Sequence, residues 1–451
     1  MIQPTFVFLH ALGSSHGEWD AVSRHLGDAP SIALDLPGFG ERVDEGYADV
    51  AEMADDLADE IRRRRLRACI LVGHSMGGKI ATIVASRAAA GEVGLAGVVG
   101  VVLVAASPPA PEPMDEARRA EMIGWVKGGS IGQDDAETFV KANTAAPLPP
   151  ELHDRAVADV RRSSREAWLG WLERGSLEDW SEQVGQLSIP ALIVAGGEDG
   201  DLGEDAQRRL NVPHYRHADV RVVDGAAHMI PYEQPEALAR LIADHAASLA
   251  GSILPAGFVD ILGSDRVSGR TRAAMLERTR PVSDDDLRWS DTERATVEAM
   301  IVHILPDHTS PRDLTQRVEV AIVRGPGDGW RFADLPPDDE AWRRGLDTLD
   351  ALTGGFAGQD HATQATWLER IAAGDAKAAA DERLFTPGQI ALWFQDVRAE
   401  VVRQWAALPS TMAAIGYDGF AVGGDGARKQ GYRRTGTNDV EAWQTAQEKT
   451  A

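Results

Sequence analysis

The sequence predicts a three-layer α/β domain with a helical cap over residues 1–250, followed by a smaller all-α domain. Three observations carry this. Strand-length apolar runs alternate with helix-length segments through the first half, the pattern of a parallel sheet with crossover helices. Roughly 80 residues separate two of those runs, Val104 from Ile193, far more than a usual αβ connection. After His245 the strand signals stop, and apolar residues recur at helical spacing.

In chain order, the first run is Phe6 to Leu9, closed by a turn at Gly13 to Ser15. Ser31 to Leu34 is the second, ended by Asp35 and the Pro37–Gly38 turn. Ala68 to Val72, Val98 to Val104, Ala191 to Ala195 and Val220 to Val223 follow. They are continuous rather than alternating, as strands buried on both faces should be. Val50 to Arg65 and Lys79 to Ala90 have helix length. The long insertion, about residues 108–186, is rich in helix formers and holds Trp125, Trp168, Trp171 and Trp180. These tryptophans either line an apolar pocket or pack the cap onto the core.

Ser252 to Asp286 mixes glycine, proline, serine and charge, so residues 251–287 read as a linker. Ser290-Asp291-Thr292-Glu293 is a capping box, and Val297, Met300, Ile301, Ile304 and Leu305 form the stripe of the helix it opens, which Pro306 ends. Trp342, Leu346, Leu349 and Leu352 repeat the spacing, as do Ala365, Leu368, Ile371 and Ala372. Thr386-Pro387-Gly388-Gln389 starts another helix, with Ile390, Phe394, Val397 and Val401 as its stripe. The all-α domain is placed at 288–436, with a polar tail over 437–451.

Composition narrows the function classes. The chain has 451 residues, 43% hydrophobic and 26% charged, which suits globular domains and exceeds one comfortable core. Its formal net charge of −24 would repel a phosphate backbone, so nucleic acid is not an expected partner. The one basic run, Arg62 to Arg65 with Arg67, reads as a solvated helix end. A lone cysteine, Cys69, precludes an intramolecular disulfide and reads as a buried small hydrophobe. The start, MIQPTFVFLHALG, lacks a basic n-region, and the longest apolar stretch, Val93 to Ala106, is too short to span a bilayer. A soluble cytoplasmic protein without membrane contact is expected.

Three features carry chemistry. Gly73-His74-Ser75-Met76-Gly77 lies directly between a strand and a helix, the context that gives G-x-S-x-G its meaning. Glycines on either side permit a turn that lifts the serine hydroxyl above the sheet, at a helix N-terminus where the Met76 N–H can meet an oxyanion. The loop His10-Ala11-Leu12-Gly13-Ser14-Ser15 follows the first strand, where a second oxyanion donor is needed; the Leu12 N–H is the candidate. Gly196-Gly197-Glu198-Asp199 and Gly225-Ala226-Ala227-His228 follow later strands, in the order serine, acid, histidine. His228 is the candidate base and Asp199 its orienting acid, with Glu198 and Asp201 as neighbours. His16, His74, His214 and His217 have no equivalent placement. No G-x-G-x-x-G follows a strand, and the spacing of His303, Asp307 and His308 fits no common metal site, so neither cofactor nor metal is expected.

With FLHALGSS, DLPGFG, VGHSMGG, AGGED and GAAHMIPYEQP in this order, residues 1 to about 250 resemble the α/β-hydrolase fold superfamily. The resemblance implies Ser75 as nucleophile, Asp199 as acid, His228 as base, and Leu12 and Met76 as oxyanion donors. It resembles the shorter members that start at this strand, among them some esterases and the hydroxynitrile lyases. Ala11 stands where glycine is commoner, and Gly203 where proline is commoner.

Residues 288 to about 436 resemble the gluconate 2-dehydrogenase subunit 3 type, on WSDTERATVEAMIVHILP, WRRGLDTLDAL, FQDVRAEVVRQW and IGYDGFAVGGDGARKQGY. That resemblance implies a partner, a flavin-dependent sugar or alcohol dehydrogenase subunit, with Gly416 to Tyr432 as a docking segment or an exposed tail. The functional expectation is a serine hydrolase of a small ester or lactone; a lactonase tethered to a sugar dehydrogenase would open its product at high effective concentration. The alternatives are an accessory subunit with a scaffold-like hydrolase half, and carbon–carbon bond hydrolysis or lyase chemistry on the same residues.

Overall fold

The computed structural model describes residues 3–46, 48–305, 310–325, 332–377, 381–420 and 425. The chain divides into two compact units, one running to Arg280 and resuming at Gly416, the other Pro281–Ile415.

The first unit is built on six parallel strands: β1 (Thr5–Leu9), β2 (Ser31–Leu34), β3 (Cys69–His74), β4 (Val98–Val104), β5 (Ala191–Gly196) and β6 (Ala218–Val223). Their spatial order is β2-β1-β3-β4-β5-β6, so β3, which leads into Ser75, is central. The apolar runs become strands within a residue or two of expectation. β1, β3, β4 and β5 are buried almost throughout, as continuous runs should be. β2 and β6 are not: they close the sheet edges and leave residues exposed, Val222 among them. Helices Val50–Arg63 and Met76–Ala89 cover one face of the sheet with Leu57, Ile61, Ile80 and Val84. Asp49 and Glu52 close a capping box at the start of the first. On the other face Trp19, Val22, Leu238 and Ile242 pack over Phe8, Val72 and Val102. Cys69 is buried, and burial pushes its thiol up to about 12, which leaves it an inert hydrophobe.

Between β4 and β5 stand helices Glu116–Gly124, Gln133–Ala142, Pro150–Arg162 and Arg165–Glu173, with a short turn of helix at Ser181–Val184. Trp168 is fully buried among Trp125 and Phe139, at 6.2 and 5.4 Å between ring centroids.

The region expected to be a linker folds. Helices Ala256–Leu262 and Gly269–Glu277 belong to the first unit and bury Phe258, Val259, Leu262, Met275 and Leu276. Two of its charges are structural rather than solvated, Arg272 and Arg280. Arg272, 1% exposed, donates to the carbonyls of Gly91, Leu262 and Val267. Arg280 donates to those of Val99 and Val98 at 3.0 and 3.2 Å, at the start of β4. The chain returns at Phe420, whose ring lies 5.9 Å from that of Phe258, while Arg266 donates to the Asp418 carbonyl. The second unit runs from Pro281 to Ile415; of the expected 288–436, residues 421–424 and 426–436 lie outside the described residues.

That unit contains helices Asp291–Ile304, Pro311–Arg324, Asp338–Thr353, His361–Ala372, Pro387–Ala407 and Pro409–Ala414. The expected capping box closes, Ser290 with Glu293, and the helix start at Thr386 proves to be a second one, with Gln389. Its core holds Val297, Met300, Ile301, Trp342, Leu346, Leu349, Leu368, Ile371, Ile390, Phe394, Val397 and Val401. Leu314 and Val318 of the second helix complete it. His303 Nε2 faces Gln364 Oε1 at 3.0 Å; Pro306, Asp307 and His308, most of Gly416 to Tyr432, and the tail 437–451 lie outside the described residues.

Candidate active site

The strand-to-helix junction after β3 is tight. Ser75 has φ 48° and ψ −116°, a conformation that an L residue adopts only when its surroundings impose it. A Cβ on Gly73 would come within 2.3 Å of the Gly77 carbonyl oxygen, and one on Gly77 within 2.6 Å of that of Leu9. Hydrogen bonds hold the turn on the sheet: Ser75 N–H donates to the Val104 carbonyl, and the Ser75 carbonyl accepts from Gly78 and Ser107. Met76 opens the following helix, where first-turn N–H groups have no intrahelical acceptor. Its side chain is buried in the core.

Ser75, His228, Asp199 and Leu12 all line one cavity of about 170 Å³ beneath the cap. His228 Nδ1 lies 2.8 Å from Asp199 Oδ2. The carboxyl is 4% exposed and its other oxygen accepts the N–H groups of Asp201 and Leu202. Burial opposes ionisation of Asp199, but the charge and hydrogen bond of His228, with those two N–H groups, bring it down to about 2. Burial likewise opposes the His228 imidazolium; the Asp199 charge and hydrogen bond outweigh it and hold His228 above the ordinary histidine range. Of the three acids near this loop, Asp199 is the one bonded to His228; Asp201 pairs with Arg118 instead, at 2.5 Å.

The loop after β1 is pinned by His10. Its Nδ1 donates to the Ala11 carbonyl at 2.7 Å, so its Nε2 accepts the Leu36 N–H at 3.0 Å and the ring is neutral. Burial lowers its pKa accordingly.

Two residues were missed. His74, read as unremarkable, is buried with its Nδ1 3.2 Å from Glu18 Oε1 and its Nε2 2.9 Å from the carbonyl of His228. Glu18 is buried too and also accepts the Ala11 N–H. The one sequence signal was the place of His74 beside the serine. Nothing marked Glu18, since Ser-x-x-Glu also reads as a helix cap. Of the cap tryptophans, Trp171 lines the cavity, while Trp168 packs within the cap. The remaining wall includes Met122, Phe139, Ala156 and Val160, with Glu112, Arg118 and Asn143 as polar groups.

The alpha/beta hydrolase family profile matches residues 6–241. The chain belongs to that family. It is an α/β-hydrolase-type enzyme. Among its relatives, a 2-succinyl-6-hydroxy-2,4-cyclohexadiene-1-carboxylate synthase of Serratia proteamaculans is 26% identical over 248 residues, 52% of this chain and 91% of that one. The non-heme chloroperoxidase CPO-A1 of Kitasatospora aureofaciens is 28% identical over 239 residues, 50% of this chain and 84% of that one. An esterase from Exiguobacterium antarcticum is similar in structure, with a TM-score of 0.49 and 18% identity over 54% of this chain and 92% of that one. Among the described residues of this α/β hydrolase, no helix is long and apolar enough to cross a membrane.

Proposed function

We infer that this α/β hydrolase is a serine hydrolase of small carboxylic esters or lactones, with Ser75 as nucleophile, His228 as base and Asp199 as its orienting acid. The observation that carries it is the strained Ser75 turn on the same small cavity as an imidazole bonded to a buried, ionised carboxylate. In this mechanism Ser75 attacks the substrate carbonyl as His228 Nε2 takes the hydroxyl proton. The N–H groups of Leu12 and Met76 meet the oxyanion, each worth about 10²–10³ in rate. His228 then protonates the leaving alkoxide, and water, activated by the same imidazole, releases the acid and restores Ser75. A cavity of roughly 150 Å³ holds a benzene ring, so the volume here suits a short acyl or small aryl group. The test is turnover of aryl esters and sugar lactones by the full chain. Activity that survives Ser75→Ala would overturn the reading.

A second reading, carbon–carbon bond cleavage or a lyase reaction with the same three residues, is favoured by Arg118. This guanidinium lines the cavity beside Asn143 and could meet a substrate carboxylate. Relatives named as synthases of a cyclohexadiene carboxylate have a carboxylate in the product that their name gives. Elimination from carboxylate-bearing substrates that is lost in Arg118→Gln, without ester turnover, would select it.

For the all-α unit, the resemblance to the gluconate 2-dehydrogenase subunit 3 type supports docking of a flavin-dependent dehydrogenase subunit. An open groove lined by His303, Ile304, Leu368, Phe394 and Arg398 is the candidate surface. Co-purification with such a subunit, abolished by Arg398→Glu at the exposed side of the groove, tests it.

A further inference from the structure

We propose that Lys79 anchors the cap over the cavity and so sets which acyl groups enter, without taking part in the chemistry. The proposal rests on the serine-hydrolase reading for its substrate, but its geometry stands apart from it. Lys79 lies one turn after Ser75 on the helix Met76–Ala89 and is fully buried. Its ammonium donates to the carbonyls of Gly175 and Glu178 at 3.2 and 2.8 Å, and sits 5.9 Å from the centre of the Trp171 ring. Those carbonyls belong to the turn that ends the cap helix Arg165–Glu173, and Trp171 of that helix forms cavity wall. The link therefore runs from the helix that carries the nucleophile to the residue that shapes the pocket.

The same turn is held from the cap side. Arg119 donates to the Leu172 carbonyl and to Ser176 Oγ, and the Glu112 N–H donates to the Ser176 carbonyl. Lys79 is the part of this clasp that rises from below. An alkyl side chain would fill its site without the cost of burying a charge. What an ammonium adds is a directed hold on two carbonyls. The carboxylates that face it, Glu112, Glu178 and Asp179, offset burial only in part, and burial brings Lys79 down to about 8.

The test uses the full chain, with 4-nitrophenyl acetate and 4-nitrophenyl octanoate as probes. In Lys79→Met, the ratio of kcat/KM for octanoate to that for acetate should move about tenfold through KM, within the range that pocket contacts discriminate, while kcat for acetate changes far less. Hydrogen exchange of the amides of residues 172–178 should speed up in the same variant, with the strands unchanged. Lys79→Leu, which also lacks a donor, replaces it if Lys79→Met does not melt cooperatively. A wild-type ratio together with wild-type exchange overturns the proposal, as does failure of both variants to fold, which would make Lys79 a folding residue. If the wild type hydrolyses neither ester, the serine-hydrolase reading fails, and the exchange measurement alone decides the anchor.

Discussion

The imidazole of His74 lies 2.9 Å from the backbone carbonyl of His228, although 154 residues separate the two in sequence. A carbonyl can only accept, so His74 donates from Nε2 and turns Nδ1 to Glu18. Glu18 in turn accepts the N–H of Ala11, the neighbour of Leu12. One buried brace thus joins the loop that bears the candidate base to the loop that bears a candidate oxyanion donor.

Cutting this brace should cost activity without touching substrate. His74→Phe is expected to lower kcat about 10²-fold, the scale of a misplacement near 1 Å, with little change in KM. It also takes the imidazole from buried Glu18, which keeps the Ala11 N–H, at a cost of about 1–3 kcal/mol. Glu18→Leu in the same chain should return part of that stability but none of the rate. Additive effects in the double-mutant cycle would mean that the two side chains do not act together.

The pH profile follows from the His228–Asp199 pair. His228 must be neutral to act as base, and its pKa is held above 6.5, so kcat/KM should fall with decreasing pH through a midpoint above 6.5. Asp199→Asn should move that midpoint down and reduce kcat about 10⁴-fold. A wild-type midpoint at or below 6.5 would contradict the role of the Asp199 charge. Asp199 also acts on stability: with its pKa depressed from 3.8 to about 2, its contribution is complete above 3.8 and lost as the pH falls to 2.

As the proposed nucleophile, Ser75 would trade stability for reactivity. At φ 48° the serine is strained, and glycine would not be. Ser75→Gly is expected to be inactive and yet more stable by about 1 kcal/mol, read as a raised Tm. A lowered Tm would show that the turn is not strained.

The all-α unit can be perturbed by itself. A Cβ on Gly345 would lie 2.1 Å from the Trp393 ring, in the middle of that unit's core. Gly345→Ala should destabilise it by about 1–3 kcal/mol, the usual cost of overpacking. Calorimetry should show one transition moving while ester turnover at low temperature persists. A uniform shift of the whole melting curve would argue against two units.

The reach of the first unit past the family match gives a boundary experiment. A chain ending at 280 keeps Phe258, Leu262, Met275 and Leu276 on the hydrolase unit, whereas one ending at 250 removes them and the Arg280 bonds to β4. The shorter chain should melt lower and aggregate more, as exposed apolar patches dictate. Equal melting temperatures would show that the two helices are dispensable.

How much of this was legible in the sequence depends on the range of the interaction. Strands, helix caps and the G-x-S-x-G turn were readable because each is set by residues a few positions apart: the run Cys69–Val72, the box Ser290–Glu293, the glycines around Ser75. Ser75, His228, Asp199 and Leu12 could be named for the same reason, since each sits at the end of a readable strand. The bond behind the choice of Asp199 is tertiary: Asp199 and Asp201 are chemically alike, and the fold turns one to the imidazole and the other to Arg118. The tertiary structure also decided that His74, Glu18 and Lys79 are buried in bonds between distant segments, and that Arg272 and Arg280 are core residues rather than linker charge. Their partners are mostly backbone groups or buried side chains far along the chain. A carbonyl leaves no trace in residue identity, so a side chain that serves one looks like any other polar residue until the chain is folded.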